Sequence, residues 1–187
     1  MATVNSYTRF MPTPDRTSLE EIVNAARDLL ESEGLAGVTM QAVADRVGVR
    51  APSLYKRVQS RDDLVRLVAE ATLVDLADRL APKTTPLELA NEFRAFAKDR
   101  PAAYQLVMTP GAGTPVAGPE FAVTASASIL RIAADTAGEE HALEAARTLT
   151  AWATGFISME LNGAFQLGGE VEDAWNYGVT RVVAALS

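Results

Sequence analysis

The chain has no cysteine and a single histidine, His141. Without thiols there are no disulfides and no thiolate metal sites, and one imidazole cannot build a histidine cluster around a metal. A Ser-His-Asp triad would have to run through His141, and no nucleophile motif accompanies it. At a helix start this histidine reads as a surface residue. Neither standard glycine-rich phosphate loop is present. These absences argue against an enzyme and against a bound metal or cofactor. No apolar run approaches the ~18 residues that span a bilayer. The N-terminus lacks an apolar core followed by a cleavage site. The expectation is a cytoplasmic protein without a membrane partner. What remains is ordinary for a soluble chain, 48% hydrophobic and 22% charged over 187 residues. That length suffices to bury roughly 70% of the unfolded surface.

Positive charge is also in short supply, with a net charge of -7. Its distribution matters more than its sum. Residues 1–66 hold nine basic and nine acidic side chains, whereas residues 67–187 hold eight and fifteen. Between Arg46 and Arg66 six bases (Arg46, Arg50, Lys56, Arg57, Arg61, Arg66) face two acids (Asp62, Asp63). A local excess governs attraction to phosphates, because charges farther away than roughly 10 Å are screened at 0.1 M salt.

That basic stretch has the pattern of two short helices joined by a tight turn. Thr39 is placed to cap the first, along which Met40, Val43, Ala44 and Val47 form an apolar stripe at i, i+3, i+4 and i+7. Gly48 supplies the stop. Pro52 suits a first helical position, and Leu54 and Val58 lie one turn apart on one face, which predicts a second helix over Pro52–Val58. These are the parts of a helix-turn-helix, with Arg50, Ala51, Ser53, Tyr55, Lys56 and Arg57 off the apolar face. Ser60 with Asp63 caps the next helix, expected to run to about Leu80 and to link the two ends of the molecule.

The rest of the chain is helical in pattern. Thr17 and Ser18 with Glu20 and Glu21 offer overlapping capping boxes for a helix carrying Ile22, Val23, Ala26, Leu29 and Leu30 and ending at Gly34. Thr85-Pro86-Leu87-Glu88 starts another helix, Pro101 a short one, and Phe121–Thr136 a further one. Helix is expected over Glu139–Gln166, and a final helix carries Val171, Trp175, Val179, Val182 and Leu186. The wide apolar face of that last helix predicts a helix–helix dimer interface through Phe165, Trp175, Val179 and Val182. The loop Thr109–Pro119 reads as a connector or as the mobile mouth of a pocket. Residues 1–17 lack periodicity and read as a flexible tail, or as an arm placing Arg9 and Arg16 in a minor groove.

The pieces AARDLLESEGLAGVTM, AVADRVGV, SLYKRV and SRDDL, in this order near the N-terminus, resemble the DNA-binding domain of TetR-type transcriptional regulators. Gly155-Phe156, Glu160, Gly163 and Phe165 resemble a TetR-type C-terminal domain named for a Trp, a His and a Gly, with Thr154 standing where the histidine belongs. The resemblance implies an all-α homodimer with a tail over 1–17, a helix-turn-helix domain over 18–64, and a helical ligand-binding and dimerisation domain over 65–187. It implies a repressor released from a palindromic double-stranded DNA operator by a small apolar or amphipathic molecule. Under it, Arg50, Ala51, Ser53 and Lys56, next to Pro52, would read bases, and Thr39, Tyr55, Arg57 and Arg61 would hold phosphates. The resemblance, rather than periodicity, also implies a pocket. Its candidate lining is Phe93, Phe96, Tyr104, Met108, Phe121, Trp152, Phe156 and Met159, residue types that at helical spacing also build cores. The alternative is a helical scaffolding protein whose helix-turn-helix no longer binds DNA.

Overall fold

Capping residues set where the helices begin. The computed structural model describes residues 17–186; the arm expected of Arg9 and Arg16 lies outside them. Helix α1 (Leu19–Gly37, kinked at Gly34) opens on a capping box in which the Ser18 hydroxyl accepts from the Glu21 amide and the Glu21 carboxylate accepts from the Ser18 amide. Helix α2 (Met40–Arg46) is capped by Thr39, α4 (Arg61–Leu80) by Ser60, and α5 (Pro86–Asp99) by the box of Thr85 and Glu88. Each oxygen satisfies an amide that the helix itself leaves unpaired. Helices α6 (Pro101–Met108), α7 (Pro119–Ala137), α8 (Ala142–Leu161) and α9 (Val171–Ala185) follow, with a 3-10 turn at Glu139–His141 before α8. No strand occurs among the described residues.

Several expected boundaries move: α1 runs past Gly34 to Gly37, α7 extends beyond Phe121–Thr136 at both ends, and α8 starts at Ala142 rather than Glu139. Helix α3 is shorter than predicted, Ala51–Leu54, because the Leu54 carbonyl accepts from both the Arg57 and Val58 amides, at 2.8 and 2.9 Å, and tightens the last turn. Helix α8 stops at Leu161 rather than Gln166. There Gly163 takes φ 63°, its amide bonds to Glu160 O and the Ala164 amide to Met159 O. This is the closure that Gly48 (φ 72°) makes after α2, with the Gly48 amide on Asp45 O and the Val49 amide on Ala44 O. Both turns need the left-handed conformation that glycine adopts freely.

The helices bury two main cores. One joins α1, α2, α3 and the first half of α4 through Ile22, Ala26, Leu30, Val43, Leu54, Val58, Leu64 and Val68. The other joins the far half of α4 to α5, α7, α8 and α9 through Leu76, Phe93, Phe96, Ile132, Ile157 and Trp175. Helix α6 belongs to both, since Ala103 and Leu106 enter the first and Tyr104 the second. It has no side-chain cap of its own. Instead Glu31 of α1 reaches across, its two carboxylate oxygens accepting from the Ala102 and Ala103 amides at 3.1 and 2.9 Å. A carboxylate there also meets the positive end of the helix dipole.

The C-terminal helices are pinned by one buried cation. The Arg94 side chain, 7% exposed, donates to both carboxylate oxygens of Glu160 on α8 at 2.7 Å and to Glu172 on α9 at 2.7 Å. Its guanidinium lies 4.9 Å from the ring centre of Trp175, whose indole N–H donates to Asn91. Paired in this way the charge is tolerated inside, whereas removing one partner strands it. The Arg94 hydrogen bonds hold the Glu160 carboxyl below the usual glutamate range.

Two outcomes follow from these contacts. Glu160→Ala should destabilise the protein at pH 7 by about 3 kcal/mol, read by urea denaturation. In the parent protein the Glu160 contribution is complete above about pH 4.3 and is lost as the pH falls below it, because the folded carboxyl must then take up a proton. Glu31→Ala should cost about 1 kcal/mol and speed hydrogen exchange at the first amides of α6.

Candidate DNA-binding face and interior cavity

Orientation of α3 is decided by two side chains. Leu54 is 1% exposed and Val58 0%, both in the core shared with α1, α2 and α4. The opposite side of the rod is therefore turned outward. Arg50, Pro52, Ser53, Tyr55, Lys56 and Arg57 are exposed, and Ala51 is half-buried. The Thr39 hydroxyl accepts from the Ala42 amide at 3.1 Å, which leaves its proton free to donate elsewhere. Arg50 and Lys56 have neither an ion pair nor a side-chain hydrogen bond among the described residues, so nothing described neutralises the face they form.

The local charge excess is smaller than the sequence count. Arg61, expected at phosphates, turns inward: its Nε donates to Val38 O at 2.8 Å and a terminal nitrogen to Leu35 O at 2.6 Å. Leu35 O, at the end of α1, otherwise accepts a long 3.3 Å bond from the Val38 amide, and Val38 is the residue that closes the helix. The guanidinium thus ties down the C-terminal end of α1. Arg61 braces the domain rather than facing solvent. Arg66 is held by Asp63 and Glu70 at 2.5 Å each, and Arg46 lies 3.6 Å from Asp28. The cationic character of the face rests on α3 and its flanks.

Behind this domain lies an apolar cavity of about 260 Å³. Helix α4 contributes Leu73, Leu76 and Leu80 to it, α5 Leu89, Ala90 and Phe93, and α6 Val107 and Met108. Ala122, Ala125, Ser126 and Ile129 of α7 and Thr150 and Ala153 of α8 complete the wall. Of the eight candidate lining residues, Phe93 and Met108 face the cavity. Phe96 and Tyr104 are core residues, Tyr104 packing edge-on against Phe93 with ring centres 5.4 Å apart. Phe121 lies beside α1 and α4 in an open groove with Val23 and Val74. Trp152 and Phe156 stack with Trp175, and Met159 is 46% exposed. Aromatic size misled here, because large rings fill space while alanines leave it. Ala90, Ala122, Ala125 and Ala153 were the available signal.

The expected dimer residues are also redistributed. Trp175 and Val179 are 1% and 0% exposed and lie in the core of the protomer itself. Phe165 packs on Phe156 at 4.7 Å, and Val182 is half-buried. The apolar stripe of α9 is thus consumed against α5 and α8. Gly178 permits the close approach, since a Cβ there would fall 2.5 Å from Trp152.

No group of three or more His, Cys, Asp or Glu side chains that could hold a metal occurs among the described residues. Among them, too, no helix is long and apolar enough to cross a membrane. Residues 15–68 match the family described as bacterial regulatory proteins, tetR family, and residues 87–182 match the tetracyclin repressor-like C-terminal domain. The helix-turn-helix transcriptional regulator Rv0681 of Mycobacterium tuberculosis is 28% identical over 163 residues, covering 80% of this chain and 73% of that protein. The regulator YobS of Bacillus subtilis is 25% identical over 174 residues, covering 88% and 90%. Among solved structures, TetR from Acinetobacter baumannii AYE superposes with a TM-score of 0.66 at 21% identity, over 90% of this chain and 96% of that one. A variant of that protein has been solved in complex with minocycline. With exposed Arg50 and Lys56 on either side of α3, a helical body behind it and a family match to each, this chain belongs to the TetR family of helix-turn-helix, DNA-binding transcriptional regulators.

Proposed function

We propose that the protein is a cytoplasmic repressor that binds a palindromic operator as a homodimer and leaves it when a small apolar or amphipathic effector fills the cavity. The observation that carries this reading is the surface around α3, where Arg50 and Lys56 stand exposed and unpaired opposite buried Leu54 and Val58. In this reading residues 18–64 form the DNA-binding head and 65–187 the effector and dimer body. Arg50, Ala51, Ser53 and Lys56 enter a major groove, with arginine or lysine donating to guanine O6 and N7. Thr39, Tyr55 and Arg57 contact phosphates. A second copy is received on the outer side of α8 and α9, where Met159 and Tyr177 are exposed. Two-fold symmetry then sets two α3 rods about one DNA turn apart, ~34–36 Å or slightly more.

Response to the effector runs through α4 and α6. Leu73, Leu76 and Leu80 line the cavity, while Leu64, Val65 and Val68 of the same helix build the head core. Helix α6 likewise presents Met108 to the cavity and Leu106 to the head. A ligand that fits one arrangement of these helices better than another shifts the population of dimers whose heads match the operator.

DNA binding by the full chain to its own promoter, measured by fluorescence anisotropy across salt concentrations, tests the reading. Arg50→Ala should reduce discrimination between operator and mutated operator by about 1–3 kcal/mol. Arg57→Ala should weaken all sequences alike and lower the salt slope by about 1. Arg61→Ala should instead cost about 1.5–3 kcal/mol of folding stability and leave the salt slope of the folded protein unchanged. Binding without steep salt dependence would favour the scaffolding alternative.

A further inference from the structure

The cavity has a definite chemical character. Among the described residues none of its lining side chains is charged, and its only side-chain hydroxyls are Ser126 and Thr150. At about 260 Å³ it falls just below the roughly 300–1,000 Å³ of drug-sized sites. A charged group sealed within it would lose its hydration with no side chain to replace it.

The two hydroxyls are not equivalent. Ser126 Oγ donates to Ala122 O at 2.8 Å, so its proton is committed and its lone pairs are left to accept. The Thr150 hydroxyl makes no hydrogen bond among the described residues, in contrast to Thr148, whose hydroxyl donates to Glu144 O at 2.8 Å. One acceptor and one uncommitted hydroxyl therefore line the same apolar space on facing helices. Ala122, Ser126, Ile129 and Thr150 also line an outer groove with Val123, Leu130 and Arg147. The seam between α7 and α8 is thus the thin wall between cavity and surface. The only charged side chain of that groove, Arg147, lies on its outer side.

We infer that the cavity takes an uncharged, largely hydrocarbon alcohol smaller than a typical drug. Its hydroxyl donates to Ser126 Oγ and accepts from Thr150 at the α7–α8 seam. This rests on the cavity being the effector site of the preceding section, and it adds the chemical class of the effector. An alcohol meets both partners at once, whereas an ether lacks the proton for Ser126. A carboxylate or an ammonium brings a charge that no lining residue balances.

The test uses the full-length protein and four chain-matched probes: 1-octanol, octyl methyl ether, octanoate and octylammonium. Binding is measured by calorimetry, and release of promoter DNA by anisotropy on the same samples. The expected order places 1-octanol at least about tenfold tighter than octanoate and octylammonium. Thr150→Val, which keeps the shape and removes the hydroxyl, should weaken 1-octanol and octyl methyl ether alike, about three- to tenfold, because both oxygens accept from it. Ser126→Ala should weaken 1-octanol and leave the ether unchanged. Ala125→Phe, with its fold checked by circular dichroism, should abolish binding by filling the cavity. Octanoate binding as tightly as 1-octanol would overturn the inference and point to Arg147 at the groove. Thr150→Val without effect, 1-octanol binding undiminished by Ala125→Phe, or no binding of any probe would overturn it too. If 1-octanol binds as expected and DNA is retained, the cavity chemistry stands and the effector reading fails.

Discussion

Burial of Leu54 and Val58 is the constraint on which the DNA-binding face depends. A helix of four residues has no stability of its own, because nucleation costs more than one turn of hydrogen bonds returns. Two apolar side chains driven into the core of α1, α2 and α4 hold it in place and leave its other side no direction but outward. The guanidinium of Arg61 closes the same domain from behind by donating to the Leu35 and Val38 carbonyls at the end of α1. A cation in the sequence thus serves the frame that presents other cations.

The head is not an independent appendage. Its core takes Ala103 and Leu106 from α6, and Glu31 caps that helix from α1. Since Val107 and Met108 of α6 border the cavity, the element the head captures is also one the cavity wall uses. The long α4 repeats this sharing, with one half in each core. Opposite them, Arg94 fastens α5, α8 and α9 into one block through Glu160 and Glu172.

Interior space in this fold comes from small residues. Rings of Trp152, Phe156, Phe165 and Trp175 pack against one another where α8, α9 and the turn after α8 meet, and fill the space between them. Alanines at positions 90, 122, 125 and 153 leave a gap between α5, α7 and α8 that leucines of α4 close from one side. Among the described residues the hydroxyl pair at the seam is the sole departure from an apolar wall of side chains.

Local signals in the sequence carried the helix starts, the turn at Gly48, the helix-turn-helix and the family, because caps, glycines and apolar periodicity act within a few residues of chain. The same signals oriented α3, since Leu54 is the one large aliphatic side chain on it and Val58 follows one turn further on. They did not separate Arg61 from Arg50, for a cation's partner is chosen by where Leu35 and Val38 end up, 26 and 23 residues away in the chain. Nor did they separate an inward from an outward stripe on α9. Trp175 and Val179 have the same periodicity whether they meet α5 and α8 or another molecule. A helix reports which of its faces is apolar, while the neighbour that covers that face, and the space left where side chains are small, exist only once the helices are packed.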